Sequence, residues 1–160
     1  VKNHLESNEF DNIINLQGDM PIIDSLDIKK VIIPLLQGYD IGTLVTNISI
    51  EEEKNINITK AQINWIKKNN IGEGVDFYKN SKNNIKNIYH HVGIYSFKYK
   101  SLKKFVELKQ SDIEIYHNLE QWRALDAKMT IGVSFVKNVP LSVDTKDDLI
   151  KVENIIKVAR

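Results

Sequence analysis

Short apolar runs alternate with polar turns along the chain, and the runs have the lengths and spacings of strands and helices. Residues 12–16 form one such run, which closes in Gln17, Gly18 and Asp19, as a buried strand does when it ends at a functional loop. This strand is predicted to deliver Asp19 to the edge of a sheet. Apolar or alternating patterns predict four further strands, over residues 40–47, 61–66, 91–98 and 131–136.

Apolar residues at helical spacing mark the segments between the strands. Asp24 or Ser25 is predicted to cap a first helix, which Pro34 should kink or shorten because proline has no backbone N–H to donate. Asn118 is predicted to cap a later helix. The last helix follows a capping-box pattern that begins at Thr145, and its inward face is predicted to carry Leu149, Val152 and Ile156.

Polar stretches between these elements predict loops. Residues 67–74 and 79–87 are rich in Asn, Lys and Gly, which predicts exposed and mobile loops, and a charged loop is predicted around residues 51–54. Alternating strands and helices predict an α/β fold, with a mixed, mostly parallel sheet and flanking helices. A chain of 160 residues with 42% hydrophobic residues can bury one core, so residues 1–160 are expected to form a single domain.

Charge and cysteine content narrow the classes of partner. The 22 basic residues nearly cancel the 21 acidic ones, so no overall field attracts nucleic acid or an anionic membrane. The absence of cysteine excludes disulfides and thiolate metal sites. Neither a signal peptide nor an apolar run of roughly 20 residues appears, so a soluble cytoplasmic protein is expected.

Four short stretches, in matching order, resemble the CMP-Kdo synthetases, which are cytidylyltransferases that activate the acidic eight-carbon sugar Kdo. The resemblance covers most of the chain, from about residue 12 to residue 155. The stretches and the family patterns that they resemble are Asn15-Leu16-Gln17-Gly18-Asp19-Met20-Pro21 (N-V-Q-G-D-x-P), His91-Val92-Gly93-Ile94-Tyr95 (H-x-G-x-Y), Leu119-Glu120-Gln121 with Arg123 (L-E-Q-L-R), and Val143-Asp144-Thr145 with Asp148-Leu149 (V-D-T-x-x-D-L).

The resemblance implies a function and a fold. It implies transfer of CMP from CTP to Kdo, giving CMP-Kdo and pyrophosphate for lipopolysaccharide synthesis, in a homodimer with a Rossmann-like nucleotide-diphospho-sugar transferase fold. It also implies that Asp19 and Asp144 are the catalytic pair that holds Mg²⁺, a cation that prefers carboxylate oxygen and water. Without the resemblance, structural roles are the favoured interpretation, with Asp19 as a turn former after Gly18 and Asp144 as a helix cap before Thr145.

Five further residues resemble those with which the family holds the sugar. Uncharged donors and acceptors suit a polyol, and most of the set is uncharged; its members are Gln17, His91, Tyr95, Glu120 and Gln121. Four of them have an ordinary structural alternative: a buried histidine satisfied by backbone for His91, strand packing for Tyr95, and a solvated helix face for Glu120 and Gln121. His90 is a second candidate for the role of His91, because a shift of one residue in the match would place it at the family position.

Several family features are absent from the sequence. The arginine-rich phosphate-binding segment that opens the family pattern would lie before Val1, and Lys79 stands near the place of an arginine that approaches the sugar. We therefore expect the chain alone to bind CTP weakly and to release no detectable pyrophosphate. Two alternatives are a non-catalytic remnant or assembly partner of a separately supplied N-terminal segment, and a cytidylyltransferase for another acidic sugar, such as sialic acid.

Overall fold

A computed structural model of the chain describes residues 10–67, 70–82, 85–143 and 145–158. These ranges contain seven helices and six strands. The strands are β1 (Asn12–Asn15), β2 (Ile41–Thr46), β3 (Lys60–Lys67), β4 (Ile71–Tyr78), β5 (Ile88–Lys98) and β6 (Ile131–Phe135). The helices are α1 (Ser25–Lys30), α2 (Ile33–Leu36), α3 (Ile50–Lys54), α4 (Tyr99–Glu107), α5 (Asp112–His117), α6 (Gln121–Asp126) and α7 (Lys146–Val158).

The six strands form one mixed sheet in the order β1-β5-β2-β6-β4-β3. The first residues of β5 also pair with β3, so five of the strands close into a ring. The predicted mixed α/β class with flanking helices is confirmed. The sheet has fewer parallel strand pairs than predicted. Among the described strands only β2 and β6 pair in parallel, and the other pairs are antiparallel. Only three residues separate β3 from β4 in the sequence, and a connection of that length can join only antiparallel neighbours.

Two helices, α3 and α5, occupy segments for which the sequence predicted a loop or no element. The charged stretch at residues 51–54 belongs to α3, where the Ser49 hydroxyl accepts from the Glu52 backbone N–H and the Glu52 carboxylate accepts from the Ser49 backbone N–H. Helix α5 begins at a comparable cap, with the Ser111 hydroxyl accepting from the Glu114 backbone N–H. Asn118 does not cap the next helix. It ends α5 in the left-handed conformation, with φ 51°, which asparagine tolerates better than most residues.

The prediction of a loop over residues 67–74 is wrong in its second half. Residues 71–74 open β4, where Gly72 and Gly74 are both buried. Added Cβ atoms would lie 2.7 Å from the Ile63 side chain at Gly72 and 2.7 Å from the Phe77 ring at Gly74. Glycine there permits close side-chain packing within the sheet, so the signal that predicted a loop instead marks a crowded strand.

Buried apolar side chains cover both faces of the sheet. One cluster includes Ile41, Val45, Phe77 and Phe97, under helices α4 and α6, and a smaller one includes Met20, Val31 and Leu44. Within the described residues, no helix is long and apolar enough to cross a membrane. The first cluster supports the side of the molecule on which the predicted site residues lie.

Candidate functional site

Two neighbouring cavities contain the predicted site residues that the structure describes. The larger, of about 470 Å³, is lined by residues that include Gln17, Asp19 and His91. The smaller, of about 300 Å³, is lined by residues that include Gln17, Tyr95, Glu120 and Gln121. Since Gln17 lines both, one loop residue joins the two cavities, and it meets the predicted residue Gln121, which is 104 positions away in sequence.

The loop after β1 is held in place by a buried side chain and by a distant segment. Met20 is 8% exposed and packs in the smaller apolar cluster beside Val92 and Ile94. The Asp19 carbonyl accepts a hydrogen bond of 2.8 Å from the backbone N–H of Val143. Asp19, which was predicted to lie at the edge of the sheet, is therefore in contact with the segment that precedes α7.

The Asp19 carboxylate is incompletely satisfied. Its Oδ1 atom is buried and has no hydrogen-bond partner among the described residues. Such an atom is costly to bury unless a ligand or ion completes its coordination. Asp144, the second predicted metal ligand, lies outside the described residues. The described side chains contain no cluster of three or more acidic, histidine or cysteine groups that could hold a metal.

A bulge in β5 brings His91 and Tyr95 together. Thr43 on β2 pairs with Tyr95, but the next residue, Leu44, pairs with Val92, so one step on β2 matches three on β5. Residues four apart on a regular strand lie about 13 Å apart, whereas the ring centroids of His91 and Tyr95 are 5.5 Å apart. Bulges commonly redirect side chains next to functional sites, and this one points two predicted sugar ligands toward adjoining cavities.

His91 is buried and neutral. It is 7% exposed, its ring lies edge-on to Phe77, and its Nε2 atom is 2.9 Å from the Thr43 hydroxyl. Burial lowers the pKa of His91 to about 3, and the neighbouring His90 contributes in the same direction. His90 also lines the larger cavity, but its Nδ1 atom is 3.0 Å from the Glu52 carboxylate, which ties β5 to α3.

Tyr95 and Gln121 form a polar pair at the smaller cavity. The Gln121 amide nitrogen donates to the Tyr95 hydroxyl, so the tyrosine proton remains free to donate to a ligand. Gln121 is 8% exposed, and its Oε1 atom has no partner among the described residues. Burial raises the pKa of Tyr95, and the nearby Glu120 charge raises it further, which keeps the phenol protonated. The pair thus offers one donor and one acceptor.

A buried ion pair fixes the short helix that carries Gln121. Arg123 donates two hydrogen bonds to the carboxylate of Glu114, which is 3% exposed, and its guanidinium lies over the Phe105 ring. The hydrogen bonds from Arg123 hold the pKa of Glu114 below its ordinary value. This pairing joins α5 to α6 and holds the start of α6, where Glu120 and Gln121 lie.

Sequence reasoning missed three supporting residues, which are Thr43, Glu114 and Lys60. Lys60 is fully buried, and its ammonium donates to the Asn55 carbonyl at 2.5 Å and to the Lys79 carbonyl at 2.6 Å, so it anchors the loop that lines the larger cavity. The side chain of Lys79, offered by the sequence as a sugar contact, is not among the residues that line either cavity. A polar residue among the apolar residues of a buried strand was the available signal for Thr43.

Comparisons with known proteins agree with this arrangement. A cytidylyltransferase family model matches residues 1–131. The 3-deoxy-manno-octulosonate cytidylyltransferase of Paramagnetospirillum magneticum is 40% identical over 151 residues, which are 92% of this chain and 61% of that protein. The corresponding protein of Brucella canis is 40% identical over 146 residues, 89% of this chain and 58% of the relative.

Two solved structures share the fold of this chain. A CMP:2-keto-3-deoxy-manno-octonic acid synthetase complexed with CTP superposes with a TM-score of 0.82 at 28% identity, over 95% of this chain and 64% of that one. An apo UDP-glucose pyrophosphorylase shares the fold alone, with a TM-score of 0.64 at 12% identity, over 94% of this chain and 55% of that one. This chain spans about three fifths of the length of the curated relatives named above. The resemblance to CMP-Kdo synthetases is confirmed, and the chain belongs to the cytidylyltransferase family.

Proposed function

We propose that the protein transfers CMP from CTP to Kdo, and that this chain supplies the sugar-binding part of the site. In that reaction a sugar hydroxyl forms a bond to the α-phosphorus of CTP, and the bond to the pyrophosphate leaving group breaks. The relatives at 40% identity carry the name of this activity. The proposal assigns the two adjoining cavities to one acidic sugar and to the reacting end of the nucleotide.

One observation carries the proposal: polar atoms without partners lie in the cavities that the family-like residues line. Gln121 Oε1 at the smaller cavity and Asp19 Oδ1 at the larger are both buried without partners among the described residues. The free proton of Tyr95 lies beside the first of them. A polyol carries hydroxyl groups that both donate and accept, so it can satisfy the Tyr95 and Gln121 pair together.

The site fits a hard divalent cation. The unpartnered carboxylate oxygen of Asp19 is the kind of ligand that Mg²⁺ prefers, and we propose Asp19 and Asp144 as the residues that would hold it. When bound, the cation would neutralise charge between the triphosphate and the carboxylate sugar. Orientation of the sugar by hydrogen bonds would fall to the remaining predicted residues, Gln17, His91, Tyr95, Glu120 and Gln121.

Titration calorimetry with Kdo tests the proposal on the purified chain. We expect measurable heat for the wild type, and at least a tenfold loss of affinity in Gln121→Leu, which removes both the acceptor and the donor to Tyr95. Gln37→Leu, at an exposed position, is the matched control and should bind as the wild type does. Failure of the wild type to bind Kdo while it binds sialic acid would favour the second candidate, a cytidylyltransferase for another acidic sugar.

We further propose that the protein acts as a homodimer in the cytoplasm, within lipopolysaccharide synthesis. Ile115 and Tyr116 on α5 are 63% and 84% exposed, and such apolar groups are common at subunit contacts. Size-exclusion chromatography with light scattering should give twice the mass of one chain, and a strictly monomeric elution would contradict the dimer.

A further inference from the structure

The bulge in β5 surrounds the Thr43 hydroxyl with groups that compete for its single proton. Thr43 is fully buried, and its Oγ1 atom lies 2.9 Å from the Ile94 carbonyl, 3.2 Å from the Val92 carbonyl and 2.9 Å from His91 Nε2. Both carbonyls belong to the bulged stretch and can only accept. A buried carbonyl oxygen against an oxygen with no hydrogen between them is unfavourable.

The single proton of the Thr43 hydroxyl determines which nitrogen of the His91 imidazole is protonated. A hydroxyl has one hydrogen to give, and here a backbone carbonyl takes it. The hydroxyl oxygen is left as an acceptor toward His91, so the Nε2 atom must carry the hydrogen of that bond. In a neutral imidazole the proton is on one nitrogen only, and Nδ1 therefore keeps a lone pair.

We propose that Thr43 is a positioning residue that fixes His91 in the Nε2–H tautomer, so that Nδ1 accepts a hydrogen bond from a sugar hydroxyl in the larger cavity. This inference rests on the proposed function for the identity of its ligand, and on the contacts above for the tautomer. His91 lines that cavity, while Thr43 is not among its lining residues, so Thr43 acts through the ring. A lone pair at this point selects a hydroxyl and disfavours the sugar carboxylate, which has no proton to donate.

Nitrogen-15 spectra of the histidine rings test the tautomer directly on the full chain. The His91 signals are assigned by their loss in His91→Gln. We expect a protonated Nε2 and an unprotonated Nδ1 in the wild type and in Thr43→Ser, which keeps the hydroxyl. In Thr43→Val, which keeps the shape but not the hydroxyl, we expect the Nδ1–H form or a mixture of the two. Calorimetry with Kdo should show affinity about tenfold weaker in Thr43→Val and little changed in Thr43→Ser.

Each outcome bears on the inference in a defined way. A wild-type ring protonated at Nδ1 would overturn it, whether or not Thr43→Val folds. An unaltered tautomer in a folded Thr43→Val, or undiminished affinity for Kdo in that variant, would also overturn the role of Thr43. Absence of Kdo binding by a wild type whose ring is protonated at Nε2 would refute the proposed sugar and leave the tautomer assignment supported, which separates the two failures.

Discussion

At the scale of the residue, burial decides which chemistry each side chain of the site can perform. His91 and Tyr95 lie on the same strand with rings 5.5 Å apart, and burial suppresses the charged form of both. Neutral groups suit the recognition of hydroxyls, because they orient a polyol without attracting competing ions. Gln121, uncharged and nine-tenths buried, fits the same pattern. The described residues that we propose as sugar ligands are therefore mostly uncharged hydrogen-bonding groups, and the acidic residues at the proposed site are Asp19 and Glu120.

The suppressed charge of His91 predicts a pH dependence of stability. Its pKa is lowered to about 3, below the ordinary value, so between pH 6.5 and pH 3 the unfolded chain binds a proton that the folded chain does not. Stability should therefore fall on acidification, by about 2 kcal/mol from pH 7 to pH 5. Urea unfolding of the wild type and of His91→Gln at both pH values measures the difference. His91→Gln should lose much less, and an equal loss in both proteins would contradict the buried neutral state.

At the scale of the element, hydrophobic periodicity predicted most strands, and special residues explain most departures. Strands β1, β2, β3, β5 and β6 lie where the apolar runs indicated, because each buries a continuous or alternating pattern against the core. The glycines of β4 were read as loop residues, although close packing is their role. Helices α5 and α6 have six residues each, too few for hydrophobic periodicity to mark them clearly, so their capping residues are the better indicators of where they begin and end. The left-handed conformation of Asn118, which ends α5, could not be predicted from the sequence.

The sequence predicted several residues that line the candidate site, but not how they are arranged. Motif resemblance selected residues that do line the two cavities, since six of the seven lie there and the seventh, Asp144, is outside the described residues. The bulge that adds two residues opposite Thr43 leaves no signature in an apolar strand apart from Gly93. Without the bulge, no pattern argument brings His91 close to Tyr95, and the role of Thr43 stays hidden.

The Glu114 and Arg123 pair predicts how α5 and α6 depend on each other. Arg123→Met leaves the buried Glu114 carboxylate without its partner, which should cost about 3 to 5 kcal/mol. The double variant Arg123→Met with Glu114→Leu should recover most of that loss, because no buried charge remains. Chemical denaturation of the two variants measures both effects. Lys104→Met, at an exposed position on α4, is the control and should change stability by less than about 0.5 kcal/mol; equal losses in the single and double variants would contradict an electrostatic origin.

At the scale of the whole molecule, two segments that are far apart in sequence are in contact at one edge of the site. The hydrogen bond from the Val143 N–H to the Asp19 carbonyl joins segments that are 124 residues apart in sequence. The loop that bears Asp19 is therefore held in place partly by a segment that is distant in sequence. The proposed cation site would thus depend on contact between segments that are distant in sequence.

Divalent cation binding gives the test at this scale. We expect the chain to bind Mn²⁺, used as a paramagnetic substitute for Mg²⁺, and to release it when Mg²⁺ is added, because both prefer carboxylate oxygen. Asp19→Asn keeps the size of the side chain but removes its charge, so affinity should fall at least tenfold by electron paramagnetic resonance titration. Asp147→Asn, at an exposed position in the first turn of α7, removes the same charge elsewhere and should bind as the wild type does. Equal weakening in both variants would mean that the ion responds to net charge, and undiminished binding in Asp19→Asn would exclude this carboxylate as a ligand.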